Sequence, residues 1–165
     1  MYKLVLASKS KVRYEILVKY NIDCKVEHSN IDEEPIKQSL LNEGATPEII
    51  SKNLAELKAN KVSQRLIDQL VLGADSVIDL NGELISKPEN REQAFNILKK
   101  LNGKVHHLIS SVCISKNGSM IWHYTDKAEL KMKTMTEDEL KLYLSKIEDE
   151  KLYAYNVYQL SLIHI

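Results

Sequence analysis

Hydrophobic and polar positions follow two different periods along this chain. Apolar residues at every second position predict strands, and apolar residues three and four apart predict helices. The two periods alternate from one end to the other, which predicts a mixed α/β fold. Residues 3–7 read as a first strand, after which Ser8 or Ser10 can cap a helix with Val12, Ile16, Leu17 and Tyr20 on its inner side. Residues 23–28 read as a second strand, ending in the acidic turn Asp32-Glu33-Glu34-Pro35. Thr46-Pro47 supplies a cap followed by proline at the first helical position, and predicts a helix running to about Leu66. Residues 70–78 form an apolar strand that turns at Asn81-Gly82, a hairpin signal. A helix over 90–101 follows, with Ala94, Ile97, Leu98 and Leu101 inward and Gly103 as its stop. A second hairpin turns at Asn117-Gly118 between strands 107–115 and 120–132. Thr136 and Glu139 make a capping box for a last helix carrying Leu140, Tyr143, Leu144 and Ile147.

One residue breaks this pattern. Asp75 sits in the middle of the 70–78 strand, which reads as buried. A buried carboxylate without partners costs several kcal/mol or more, so such a group is paired, bound to a metal or catalytic. Ser86-Lys87-Pro88 comes back soon after the first hairpin and returns a lysine toward the acid.

Composition narrows the classes. The 165 residues suit one domain with a real core, and 44% hydrophobic with 28% charged residues is ordinary for a globular protein. Lys+Arg and Asp+Glu balance at 23 each, so no global field favours nucleic acid or an anionic membrane, and any anion must be held by local clustering. Aromatic residues, at 6%, are too few for a base-stacking surface. Cys24 and Cys113 lie in apolar runs and read as small core residues rather than a disulfide framework. With no signal peptide and no apolar run long enough for a membrane span, a reducing cytoplasm is the expected location.

Two further stretches carry candidate chemistry. The strand-to-helix turn Ala7-Ser8-Lys9-Ser10-Lys11-Val12-Arg13 crowds two hydroxyls and three cations at a helix start, where backbone N–H groups favour an anion. A capped helix with a solvated basic turn is the plainer alternative. Lys58 follows Leu54 and precedes Val62 at steps of four, within an apolar stripe where an ammonium needs a partner or must snorkel. Glu33 reads either as a solvated loop acid or as a metal ligand. Mg²⁺ takes one or two carboxylates plus substrate phosphate oxygens, so Glu33 and Asp75 would suffice if the fold joins them. His106 and His107 face opposite sides of a strand with no Cys/His spacing for zinc, and Ser110-Ser111 lack a Gly-x-Ser-x-Gly setting.

Together these stretches resemble the Maf family of nucleotide pyrophosphatases, also described as septum-formation inhibitors. The matching residues are Leu6-Ala7-Ser8-x-Ser10-x-x-Arg13-x-Glu15-Ile16-Leu17, Asp32-Glu33, Leu54-Ala55-x-x-Lys58-Ala59, Gly73-Ala74-Asp75-Ser76, Lys87-Pro88, and the run from Ala94 to His106, colinear from residue 3 to about 147. The resemblance implies an inosine-triphosphatase-like α/β fold, a long mixed sheet flanked by helices with a central cleft. It implies hydrolysis of a nucleoside triphosphate to the monophosphate and pyrophosphate with Mg²⁺ or Mn²⁺. By position, Asp75 matches the proton-accepting and metal-side aspartate and Glu33 the acidic metal-side residue. Ser8, Ser10, Arg13, Lys58 and Lys87 match the phosphate-contacting set, and Val12 and Ser76 fall where the family selects its base.

The family's frequent Ser-Pro-Arg-Arg or Ser-Pro-Trp-Arg turn is here Ser10-Lys11-Val12-Arg13, and Ser76 stands where threonine or glutamine is common. A relaxed base preference is therefore expected. A non-catalytic nucleotide-binding regulator of cell division with the same fold is the alternative reading. The expected partner is the nucleotide, with no stable nucleic acid and no membrane, and a homodimer is the assembly to test for. Residues 160–165 match what a transposase-end sequencing adapter encodes in frame. The expected organisation is one domain over 1–159, incomplete at its C-terminus, and a non-native tail over 160–165, which takes in the family's specificity-linked position at Ser161.

Overall fold

The computed structural model describes residues 4–155 and 163–164. Among the described residues, seven strands and six helices follow in chain order: β1 (Leu4–Leu6), α1 (Lys11–Lys19), β2 (Cys24–Val26), α2 (Glu33–Asn42), α3 (Pro47–Ser63), β3 (Val71–Leu80), β4 (Glu83–Ile85), α4 (Arg91–Leu101), β5 (Val105–Lys116), β6 (Ser119–Met132), α5 (Glu137–Ser145), α6 (Asp149–Tyr155) and β7 (Ile163–His164). The strands form one mixed sheet in the order β2-β1-β3-β5-β6-β7, with β4 paired to β3. β1 runs parallel to both β2 and β3, whereas β4 is antiparallel to β3. The mixed α/β expectation therefore holds. Both hairpins turn where Asn-Gly demanded it, with positive φ at Asn81, Gly82, Asn117 and Gly118, as two-residue hairpin turns require.

The chain divides into two compact units. The first comprises residues 1–76 and 109–126, the second 77–108 and 127–165, so β3, β5 and β6 contribute residues to both. In the first unit, α3 lies against the sheet through small residues: Ala55, Ala59 and Cys113 form one buried cluster, and Val5, Ala7, Val62 and Val71 another. Thr46 caps α3 by accepting from the Ile49 N–H, with Pro47 at its first turn. Polar ties hold its far end, where Ser115 Oγ donates to Asn60 Oδ1 at 2.7 Å and Gly118 N–H donates to Ser63 Oγ at 2.9 Å. In the second unit, α4 and α5 pack around a core that includes Leu98, Leu101, Met132, Leu140 and Leu152. Arg91 donates to the last carbonyls of that layer, Leu144 at 2.9 Å and Ile147 at 2.8 Å. The Thr136–Glu139 capping box forms as expected.

Three expectations need correction. The acidic turn after β2 is instead the start of α2: Asp32 is its N-cap residue and Glu33 and Glu34 fill its first turn, where carboxylates favour the positive helix end. Pro35 is tolerated there because its missing N–H would find no partner in the first turn anyway. α6 was likewise not anticipated. Finally, α1 does not bury an inner face. Val12, Ile16 and Tyr20 are 45%, 49% and 69% exposed, and no α1 residue is buried. Its apolar residues, Val12, Tyr14, Ile16, Leu17, Val18 and Tyr20, are spread around the helix instead of lining one stripe. Of the expected tail, only Ile163–His164 are described, paired antiparallel with Lys131 and Met132; residues 160–162 and 165 lie outside the described residues.

Candidate active site

The first unit brings Ser8, Ser10, Arg13, Glu33, Lys58, Asp75 and Ser76 onto neighbouring elements, and its centre is Asp75. β3 enters the core with an alternation that turns Gly73 and Asp75 toward α3. An ideal Cβ at Gly73 would lie 2.2 Å from the Ala55 carbonyl oxygen and 2.7 Å from the Ala59 nitrogen. Only glycine lets helix and strand approach this closely. The close approach carries Lys58, one turn along α3 from Ala55, directly onto Asp75.

Lys58 is 7% exposed and Asp75 6%. The ammonium donates to Asp75 Oδ1 at 2.8 Å and pairs with Glu33 Oε1 at 2.8 Å, with the Ala74 carbonyl at the longer distance of 3.5 Å. Glu33 reaches this point because it opens α2, and it also meets Lys37 one turn on at 3.7 Å. The other Asp75 oxygen, Oδ2, is buried and has no hydrogen-bond partner among the described residues. A buried carboxylate oxygen left this way costs on the order of 1–3 kcal/mol, which makes Oδ2 a ready acceptor for a proton or a cation. Burial pushes the Asp75 carboxyl above its ordinary pKa, and the nearby Glu33 charge adds to this; Lys58 and Arg13 pull the other way. Two carboxylates on one ammonium, one of them with a bare oxygen, fit the small oxygen set that Mg²⁺ or Mn²⁺ takes before a substrate completes it.

The strand-to-helix turn stands beside this cluster. Ser10 is the α1 cap, accepting from the Arg13 N–H at 3.4 Å, while Ser8 Oγ accepts from the Ser10 N–H at 3.1 Å. Arg13 folds back across the sheet end, its Nη1 donating to the Ala74 carbonyl at 2.9 Å and to Ser8 Oγ at 3.3 Å. A cavity of about 240 Å³ adjoins it, lined by Arg13, Asp75, Ser76 and Ser110 with Leu6, Ile16 and Leu72 among its apolar walls. Ser76 and Ser110 share a 3.0 Å hydroxyl contact there. Val12 sits near the start of α1, exposed. A larger hollow of about 440 Å³, bordered by α2 and α3, contains none of the predicted residues. Lys87 belongs to the second unit, exposed on the segment between β4 and α4.

Sequence reasoning missed three contributors. The buried Ser51 hydroxyl donates to the Asp75 carbonyl at 3.2 Å and fixes the strand backbone under the acid. The Ala74 carbonyl gathers both Arg13 and Lys58, which no side-chain pattern could reveal. Ser110 was set aside for want of a hydrolase motif, yet lies beside Ser76. Cys113 is buried and its thiol is pushed up to about 11 by burial, which makes it a core residue and no nucleophile.

Comparison with known proteins identifies relatives of this chain. The family model described as Maf-like protein matches residues 3–165. A nucleoside triphosphate pyrophosphatase of Pelagibacter ubique is 65% identical over 158 residues, covering 96% of this chain and 81% of that protein. A 7-methyl-GTP pyrophosphatase of Brucella abortus is 34% identical over 157 residues, covering 95% of this chain and 79% of that protein. Among solved structures, a HAM1 protein from Coxiella burnetii superposes with a TM-score of 0.55 at 15% identity, over 80% of this chain and 73% of that one, a likeness of fold alone.

Proposed function

The chain belongs to the Maf-like protein family, and from that premise we propose that it hydrolyses a nucleoside triphosphate to the nucleoside monophosphate and pyrophosphate. The observation that carries this reading is the Asp75 carboxylate: buried, raised in pKa, held at one oxygen by Lys58 and bare at the other. A general base needs a free oxygen and a pKa raised above the ordinary carboxylate value; Asp75 Oδ2 has no partner among the described residues and burial raises the carboxyl pKa, which supports this role.

In the proposed reaction, a water oxygen attacks the α-phosphorus while Asp75 Oδ2 accepts its proton. The bond from the α-phosphorus to the bridging oxygen breaks, and pyrophosphate leaves with that electron pair. Phosphoryl-type transfer asks a protein mainly for positioning and charge neutralisation. Arg13, the Ser8 and Ser10 turn and Lys58 would bind the phosphates, with Lys87 assigned to the same set by its place in the family motif. Glu33 and Asp75 would hold a divalent ion, Mg²⁺ or Mn²⁺, whose chemistry is to neutralise phosphate charge and acidify water. Val12 and Ser76 would border the base. We extend the reading to a cytoplasmic enzyme, with two free, buried cysteines in agreement.

Product analysis tests this reading. The chain with Mg²⁺ and a panel of canonical and modified nucleoside triphosphates should release pyrophosphate in equal amount to monophosphate. Asp75→Asn should lose turnover by about 10²-fold or more and still bind nucleotide. Release of inorganic phosphate with a diphosphate, or an Asp75→Asn variant of undiminished rate, would refute it.

A further inference from the structure

A lysine ammonium has three N–H donors, and at Lys58 each has an acceptor: Glu33 Oε1 and Asp75 Oδ1, both at 2.8 Å, and the Ala74 carbonyl at 3.5 Å. None is left for a phosphate oxygen. All three acceptors are oxygens and two are anionic, which is also the kind of donor a hard divalent ion selects. The bare Asp75 Oδ2, buried in the same place, points to a ligand beyond the lysine itself.

We propose that Lys58 is the internal counter-cation of Glu33 and Asp75, competing with a divalent ion for these carboxylates until nucleotide arrives and draws the ammonium onto its phosphates. The inference rests on the pyrophosphatase reading above and adds an order of events to it. Glu33 and Asp75 set two negative charges against the single ammonium of Lys58, with Lys37 on Glu33 at 3.7 Å and Arg13 beside Asp75 as further cations at the edge. A divalent ion added to them neutralises both carboxylates, and the cluster then attracts a triphosphate more strongly. The triphosphate in turn supplies the oxygens that Lys58 needs in order to leave the carboxylates. Metal and nucleotide therefore strengthen each other's binding, and by linkage the strengthening is equal in both directions. Either one alone meets an opposing term: the metal meets the ammonium, and the nucleotide meets the two carboxylates that hold that ammonium.

The test reads metal binding, not turnover. Free Mn²⁺ is followed by electron paramagnetic resonance at pH 8 with no nucleotide present. Lys58→Met, which keeps an unbranched apolar stem one atom shorter and removes the charge, should bind Mn²⁺ more tightly than the unaltered chain by on the order of tenfold or more. Equal or weaker binding by a folded Lys58→Met overturns the proposal. A second measurement needs no variant. In the ¹⁵N-labelled chain, the locked Lys58 ammonium should give a slowly exchanging resonance that persists with Mg²⁺ alone and shifts when Mg²⁺ and a non-hydrolysable α,β-methylene triphosphate are both present. A resonance unmoved by the pair overturns the proposal as well. The two readings fail separately. Pyrophosphate release with no Mn²⁺ gain in Lys58→Met sinks the counter-cation and leaves the enzyme, whereas a chain without turnover sinks the enzyme whatever the Mn²⁺ result.

Discussion

Replacing Gly73 by alanine tests whether the α3–β3 contact sets the Asp75–Lys58 geometry. The new Cβ would fall 2.2 Å from the Ala55 carbonyl oxygen, 2.7 Å from the Ala59 nitrogen and 2.9 Å from the Ala59 Cβ. Two of these are backbone atoms, so no rotamer change relieves them. Gly73 is not in the left-handed region, and the cost is therefore steric and not conformational. Reaching ordinary contact requires α3 and β3 to separate by roughly 1.2 Å. Overpacking of this kind costs about 1–3 kcal/mol. The same movement lengthens the 2.8 Å Lys58–Asp75 bond to about 4 Å, the outer limit of an ion pair. A misplacement of about 1 Å at reacting groups costs on the order of 10²-fold in rate. Urea unfolding should show the stability loss, and pyrophosphate release under saturating nucleotide should show the drop in kcat. Gly73→Ala with unchanged midpoint and unchanged kcat would refute the argument that this approach positions the site.

Two other outcomes follow from the structure. Because burial raises the Asp75 pKa, its ionised, base-competent form is lost as pH falls through a value above the ordinary aspartate pKa of about 3.9. The acid limb of the kcat/KM profile, which reports the free enzyme, should therefore lie above that value, and a limb below it would contradict the assignment. The sign for stability is opposite: a carboxyl whose folded pKa is raised contributes most below its unfolded pKa, and the contribution is lost as pH rises through the raised value. Asp75→Asn should flatten that part of the stability profile. Thr136→Ala removes the α5 cap and should lower stability by about 1 kcal/mol, with nucleotide turnover in the first unit unchanged. A thermal melt equal to that of the unaltered chain would show that the cap contributes nothing.

Local chemistry determined much of this protein in advance. Asn81-Gly82 and Asn117-Gly118 can hardly be anything but tight hairpin turns, because their backbone needs positive φ at both residues. Thr46-Pro47 and Thr136-Glu139 start helices by satisfying N–H groups within a few residues, with no reference to the rest of the fold. Asp75 and Lys58 announced themselves as charges in apolar periods, where each needs a partner. What the chain could not reveal is which partner each would find.

Pairing was decided in three dimensions. Seventeen positions separate Lys58 from Asp75 and twenty-five separate it from Glu33, and their meeting depends on the small-residue contact of Gly73 with Ala55 and Ala59. The acidic segment looked like a loop because the weak helix signal at Asp32 carried no apolar stripe strong enough to extend it; packing against α3 supplies the stabilisation instead. The exposure of α1 has two parts: the spread of its apolar residues round the helix is written in the sequence, whereas the lack of an element that buries any of them is decided by the fold. Backbone acceptors such as the Ala74 carbonyl carry no side-chain signature at all, so their share of the site appears only once the chain has folded.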